Sequence, residues 1–572
     1  MLVFVSGNTL AQSAGFNSSY AVFSINGGAD AYYCMQSNTS CGPNPALDGA
    51  SLGTVSSLIL KGAEHNVYKC GGADITSTRM NYRIYPTGSP SGSFTALTIG
   101  FSSGAVNGCF GEDQQWKSLT QNVNVLNGLA AGNYTIEIYS DESTTVGTQF
   151  LSNSGNNYKA TFTVPNIRVN STGGTTPNAT YATFAAALTA INGGTAHTGT
   201  ITCYVSAGYT ETAPAGGFTI TASQTSLTFI KSGTGTNPTF TANSSPTAGS
   251  VMDAIIKIVG GDNITIDGFT LQENGNSTTA VATNNLTEFG IGQFYTSATN
   301  GAKNNTIKNC TISLNPNYQN AIGIYSTSRH TSTATATADA TSTAGLNNGF
   351  KVYSNTISNV ALGVVYVSVP NTATITESGV DIGGTSAATG NTITFGNNTA
   401  PDGNWGGLNN QATGIHYRQG VAVNIQYNTI NTVSGGLTRA VNGITISGAP
   451  TGVTYTNTVS NNTIGLTITS SGQTNGIDFG YGLSTGTIIG NSNNITINQT
   501  VSAAVSSAQI GINAAYTSAT NTCNSNTITI NQTTTGTGVT SSSLTGITVA
   551  GAATTINALN NAITFNQTTS SS

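Results

Sequence analysis

From about residue 200 to its end, the chain repeats one small unit: an apolar residue flanked by polar ones, then a polar corner. Asn493-Asn-Ile-Thr-Ile-Asn, Asn526-Thr-Ile-Thr-Ile-Asn and Asn561-Ala-Ile-Thr-Phe-Asn are three copies. Alternation with period two predicts short half-buried strands. Two signatures alternate along this region. One is Asn-x-Ile, assigned to Asn305, Asn355, Asn391, Asn428, Asn462, Asn494, Asn526 and Asn561. The other is Gly before Ile or Val, at Gly323, Gly363, Gly414, Gly443, Gly476, Gly511 and Gly546. Late in the chain both recur about every 32 to 36 residues, which predicts a repeat architecture.

A strand of three to five residues must end in a sharp bend before the next begins. Asn and Gly tolerate the left-handed backbone angles such bends need. Equivalent Asn side chains can then pass amide hydrogen bonds from one layer to the next, about 4.8 Å apart. Inward Ile, Val and Leu stack into a core, and outward Thr and Ser solvate the faces. About 34 residues per coil predicts roughly 11 coils and a shaft of about 50 Å. A row of β-sandwich modules is the competing architecture, and the short period disfavours it.

Residues 15–167 have a different texture. Alternating runs such as Met80-Asn-Tyr-Arg-Ile-Tyr, Tyr134-Thr-Ile-Glu-Ile-Tyr and Tyr158-Lys-Ala-Thr-Phe-Thr-Val are separated by Gly, Pro and Asn. That spacing predicts a β-sandwich. Residues 168–180 read as a linker. One helix follows: Phe184, Leu188 and Ile191 share a face, Thr183 is the expected N-cap, and Gly193-Gly194 the stop. Its apolar face is expected to plug the first coil and cover the sheet edges. Residues 1–14 read as the remnant of a secretory signal, and the 181–572 array as truncated at its C-terminus.

Composition narrows the class. Charged residues make up 6% of the 572, and the net charge is −5. There is no basic stripe, so nucleic acid is not an expected partner. Polar residues interrupt every apolar run before the roughly 20 residues a membrane span requires. Residues 479–572 contain no Asp, Glu, Lys, Arg or His, so nothing there titrates for general acid–base chemistry. Cys34, Cys41, Cys70 and Cys109 fit disulfides in an exported protein, paired by proximity as Cys34–Cys41 and Cys70–Cys109. Cys203, Cys310 and Cys523 read as buried small hydrophobes. No spacing suggests a metal site, and no cofactor is expected.

The Asn-x-Ile corners and Gly-Ile runs resemble the pectate-lyase-like family of right-handed parallel β-helix repeats, over some 390 residues from about 181. Residues 15–167 resemble the N-terminal sandwich modules of large secreted bacterial surface proteins. The family's lyases hold calcium with clustered carboxylates beside an Arg or Lys, and its hydrolases use neighbouring Asp residues. Two clusters of charged residues bear on that chemistry. Asp253, Asp262, Asp267 and Glu273 with Lys257 read as structural, because Asp262 and Asp267 flank one strand. Asp381, Asp402, Trp405, His416 and Arg418 read as a possible sugar contact, with His416 and Arg418 on an outward face. No catalytic residue is assigned, because the Asp-Asp, Gly-His-Gly and Arg-x-Lys motifs of the pectin hydrolases are absent. The expectation is a secreted or outer-surface bacterial protein, structural and adhesin-like, that contacts polysaccharide or cell-surface glycans. A polysaccharide lyase or glycoside hydrolase on the same scaffold is the alternative. A third is display of carbohydrate binding by the sandwich.

Overall fold

The computed structural model describes residues 12–570 except 37–41, 105–112, 245–252, 278–286, 319, 334–337, 371–373, 399–411, 449–452, 470–471, 481–485, 502–507, 515–519, 536–542 and 550–554. The chain divides into two compact units. One is 1–183 with 204–207 and 232–236; the other is 184–203, 208–231 and 237–572.

The first unit is built on two six-stranded sheets that share one apolar core. Their pairings are antiparallel except for one parallel edge. Alternation buries Phe23, Leu60, Val67, Met80, Ile136, Ile138 and Phe162 between the sheets. The stretch 168–180 is not a linker. Ile167–Gly173 and Asn178–Tyr181 pair as an antiparallel hairpin, and the Arg168 guanidinium lies 3.7 Å from the centre of the Tyr204 ring. Its Ser, Thr and Gly content suggested a linker; polar strand edges with a Gly-rich turn have the same composition. Ser13 and Ala14, assigned above to a leader, begin the first strand, Ser13–Ile25. Residues 1–11 lie outside the described set.

Cys34 and Cys70 are both disulfide-bonded. Cys34 pairs with Tyr20 and Cys70 with Ser13 along the same strand. They are therefore too far apart to bond each other. The other candidates, Cys41 and Cys109, lie outside the described residues.

The second unit is a parallel β-helix. Each coil gives one strand to each of three parallel sheets, in the order first, second and third face. The second face has eleven strands, from Thr210–Thr212 to Ala562–Ser570. Ten steps of about 4.8 Å make a stack of about 48 Å. Helix α1 (Phe184–Asn192) opens this unit. Phe184 is fully buried and its ring packs on Phe218, Phe229, Phe240 and Phe269, so the helix plugs the first coils. The Glu211 carboxylate accepts the Phe184 and Ala185 N–H groups at 2.6 and 3.2 Å, placing an acid against the positive helix end. Gly194, at φ +66°, ends the helix.

The corner between the first and second faces carries the amide ladder. Asn355 Nδ2 donates to Asn391 Oδ1 (3.0 Å), Asn391 to Asn428 (2.8 Å) and Asn428 to Asn462 (3.0 Å). The chain of bonds continues from Asn462 through Asn493 and Asn526 to Asn561. Each rung Oδ1 also accepts the backbone N–H one coil below, and each Nδ2 also reaches a carbonyl of the first face. Successive rungs are 31 to 37 residues apart in sequence, yet stay in register.

Two expected rungs are wrong. Asn493, not Asn494, is the rung; Asn494 starts the next strand and is exposed. Asn305 is at another corner, where it accepts the Ile264 N–H and donates to the Gly261 carbonyl. Its place in the ladder is held by Cys310, whose N–H is received by Asn355 Oδ1.

The repeating glycines set how closely two faces approach. A Cβ on Gly443 would lie 2.5 Å from the Gly476 carbonyl oxygen and 2.6 Å from Ile464 Cγ2.

Candidate functional site

The third face differs from the other two because it is buried on both sides. Strands Leu362–Val367, Ala412–Arg418 and Val441–Ser447 are buried almost throughout. His416 lies here. It was expected to face solvent, but it is 3% exposed, and Nε2 shares a 2.7 Å hydrogen bond with Ser447 Oγ. Burial pushes its pKa down to about 3, with Arg418 adding to the effect, so the ring is neutral at ordinary pH. Arg418 is on the same strand, half-buried. Asp402 and Trp405 lie outside the described residues. Asp381 is on the first face, where its carboxylate accepts from Asn424 Nδ2 (2.9 Å) and from the Tyr353 hydroxyl (2.7 Å). The expected sugar-contact cluster is therefore not one site: Asp381 is separated from His416 and Arg418 by the architecture.

The other carboxylate cluster also divides. Asp262 accepts the Lys303 N–H, and Asp267 pairs with Lys308 and accepts from Asn309 Nδ2; both are structural, as read from the sequence. Asp253 and Lys257 are buried on the third face beside Glu288, which sequence reasoning missed. Glu288 Oε2 accepts the Asp253 N–H at 3.1 Å. Burial, with the Asp253 charge added, holds the Glu288 carboxyl well above the usual range. Burial draws the Lys257 ammonium down, against the pull of both carboxylates. Glu273 accepts from the Thr287 N–H and hydroxyl at 2.9 and 2.8 Å. Held towards its protonated form by burial, the Glu288 carboxyl is able to serve as a proton donor. Glu288 followed a polar run, with no motif to mark it.

The other faces carry different chemistry. On the first, Lys351, Val380, Asp381, Ala422, Asn424 and Thr456 line an open depression of about 380 Å³, with a cation, a carboxylate and an amide at its wall. On the second, strand after strand presents Thr outward on either side of an inward aliphatic or aromatic residue, as in Thr239-Phe-Thr, Thr392-Ile-Thr and Thr527-Ile-Thr. Among the described residues, no three His, Cys, Asp or Glu side chains gather as a metal site. Cys203, Cys310 and Cys523 are buried. Burial pushes the Cys310 thiol up to about 12 and Cys523 to about 11, far from thiolate reactivity. No described helix is long and apolar enough to cross a membrane.

No protein-family model matches the chain. No curated protein sequence matches it. Among solved structures, the catalytic unit of a thermostable GH87 α-1,3-glucanase from Streptomyces thermodiastaticus strain HF3-3 aligns over 99% of this chain and 97% of its own, at 12% identity and a TM-score of 0.18. A likeness that weak carries no argument about activity.

Proposed function

We propose that the chain is a secreted or outer-surface bacterial protein, structural and adhesive, whose β-helix is a stiff shaft making weak, repeated contacts with glycans or solid surfaces. One observation carries this reading. The amide ladder runs unbroken from Asn355 to Asn561 while the outward rows stay polar and nearly uncharged. Such a stack spends its polar groups on rigidity, and its faces repeat the same weak contact many times over. The depression at Asp381, Asn424 and Lys351 adds a polar wall suited to sugar hydroxyls. Co-sedimentation of the full chain with insoluble polysaccharides, together with a glycan array, tests the reading. Binding that weakens in Asp381→Ala supports it, and no binding to any glycan or surface removes it.

A second reading, cleavage of a polysaccharide, is favoured by Asp253 and Glu288 beside Lys257. Turnover on a panel of polysaccharides tests it. Cleavage that disappears in Glu288→Gln would make the chain an enzyme and demote the adhesive reading.

A further inference from the structure

We propose that the second face binds ice. This rests on the reading of the shaft as a surface-contacting element and names the surface. Backbone pairing aligns Thr210 with Thr239, Thr239 with Thr270, Thr270 with Thr311 and Thr311 with Thr356, without a shift. The column continues through Thr392, Thr429 and Thr463 to Asn494, Thr527 and Ala562. Nine of its eleven positions are threonine. A second column, two residues along each strand, holds Thr212, Thr241, Thr394, Thr496, Thr529 and Thr564, interrupted by Ser, Gln, Asn or Gly. The result is a grid of hydroxyls about 4.8 Å apart along the stack and about 6.7 Å apart across it.

Three features make this grid a template for ordered water. In all but the first and last coils, the residue between the two columns, such as Ile357, Ile393 or Ile430, is buried, which fixes the strand beneath the hydroxyls. Threonine is stiff at χ1, so each hydroxyl and methyl keeps its place. No outward position of the two columns carries a charge, so no ion imposes its own hydration shell on the grid. The column threonines are half-exposed or exposed. In the last coils the exposed amides of Asn498, Asn531 and Asn566 form a third row, bonded along the stack at 2.7 and 2.8 Å.

The same features disfavour a sugar ligand here. Sugar sites are concave and rich in aromatic rings, while these columns are open and hold no aromatic side chain. What remains is a periodic, uncharged solid whose surface oxygens repeat on the scale of this grid, as those of ice do.

The test is partitioning of the fluorescently labelled full chain into a slowly grown ice shell. The expected result is severalfold enrichment over a non-binding protein of similar size and charge. Thr392→Tyr with Thr429→Tyr should return the chain to background, and Thr522→Tyr, on the first face, should leave uptake unchanged; circular dichroism confirms that each variant folds. Exclusion of the wild-type chain from ice overturns the proposal. So does equal loss in the first-face variant, or binding to crystalline cellulose or chitin through these threonines without uptake into ice. Glycan and polysaccharide binding, measured separately, reports on the adhesive reading whichever way the ice result falls.

Discussion

The amide ladder and the sandwich core treat buried polar groups in opposite ways. Along the ladder, each rung amide finds a donor and an acceptor on neighbouring coils, so burial leaves these amides satisfied. In the sandwich, Ser19, His65, Thr78, Ser140 and Glu142 are buried in the core from facing sheets, and their polar side-chain atoms have no hydrogen-bond partner among the described residues. Burial pushes the Glu142 carboxyl up to about 8 and the His65 ring down to about 3. A repeat solves the burial problem once and copies the solution. A sandwich must solve it separately at each position, and here it leaves groups whose protonation is tied to folding. The sandwich should therefore be pH-sensitive, and the last coils, which hold no Asp, Glu, Lys, Arg or His, should not be.

The largest expected effect breaks that contrast directly. Glu142 has its folded pKa raised, so its share of stability is present below about pH 4.5 and lost as pH rises through about 8, up to about 4 kcal/mol. His65 has the opposite sign: stability is lost as pH falls from about 6.5 through about 3. Denaturation of the full chain carrying Trp405→Phe, followed by Trp116 fluorescence in the sandwich, should lose its alkaline limb in Glu142→Gln and keep the acid one. An unchanged profile would show that Glu142 is not buried in this way.

Next in size is the ladder. Asn428→Ala strands the Asn391 amide and N–H and the Ile382 carbonyl, and should cost about 3 kcal/mol in urea denaturation. Gly443→Ala drives a methyl against Gly476 and Ile464, for about 2 kcal/mol. The smallest effect sharpens the register: Asn494→Ala, on the exposed row beside rung Asn493, should stay within about 0.5 kcal/mol. If the two Asn sites exchanged effects, the ladder would run through Asn494 instead.

Much of this was legible before the structure. The plugging helix, the parallel coils and most rungs follow from apolar spacing and from corners that demand Asn or Gly. The error at Asn494 had a signal: every rung in this run lies two residues before an inward aliphatic, and Asn493 is two before Ile495. Asn305 also precedes Ile307 by two, so the motif alone could not show that it serves a different corner. The misplacement of His416 has another cause. Alternation tells which residues share a side of a strand, not whether that side meets water. The near-continuous apolar run Leu362-Gly-Val-Val-Tyr-Val was the available hint that the third face is covered on both sides. Glu288 gave no sign, because its importance comes from Asp253, 35 residues away in sequence.

The three edges of the β-helix also differ in how freely they accept extra chain. The ladder edge is crossed by two residues in many coils, as between Tyr353 and Thr356 or Ser460 and Thr463, while the third-to-first edge carries connections as different as Arg418 to Ala422 and Val367 to Val380, and the second-to-third edge Val360 to Leu362 and Phe395 to Ala412. Most growth by insertion is thus diverted away from one seam, where only Ser232 to Thr239 and Ile382 to Thr392 are markedly longer, and that seam acts as a ruler for the stack. Foreign peptides grafted at the two permissive edges should be displayed at regular heights along one side without disturbing that ruler.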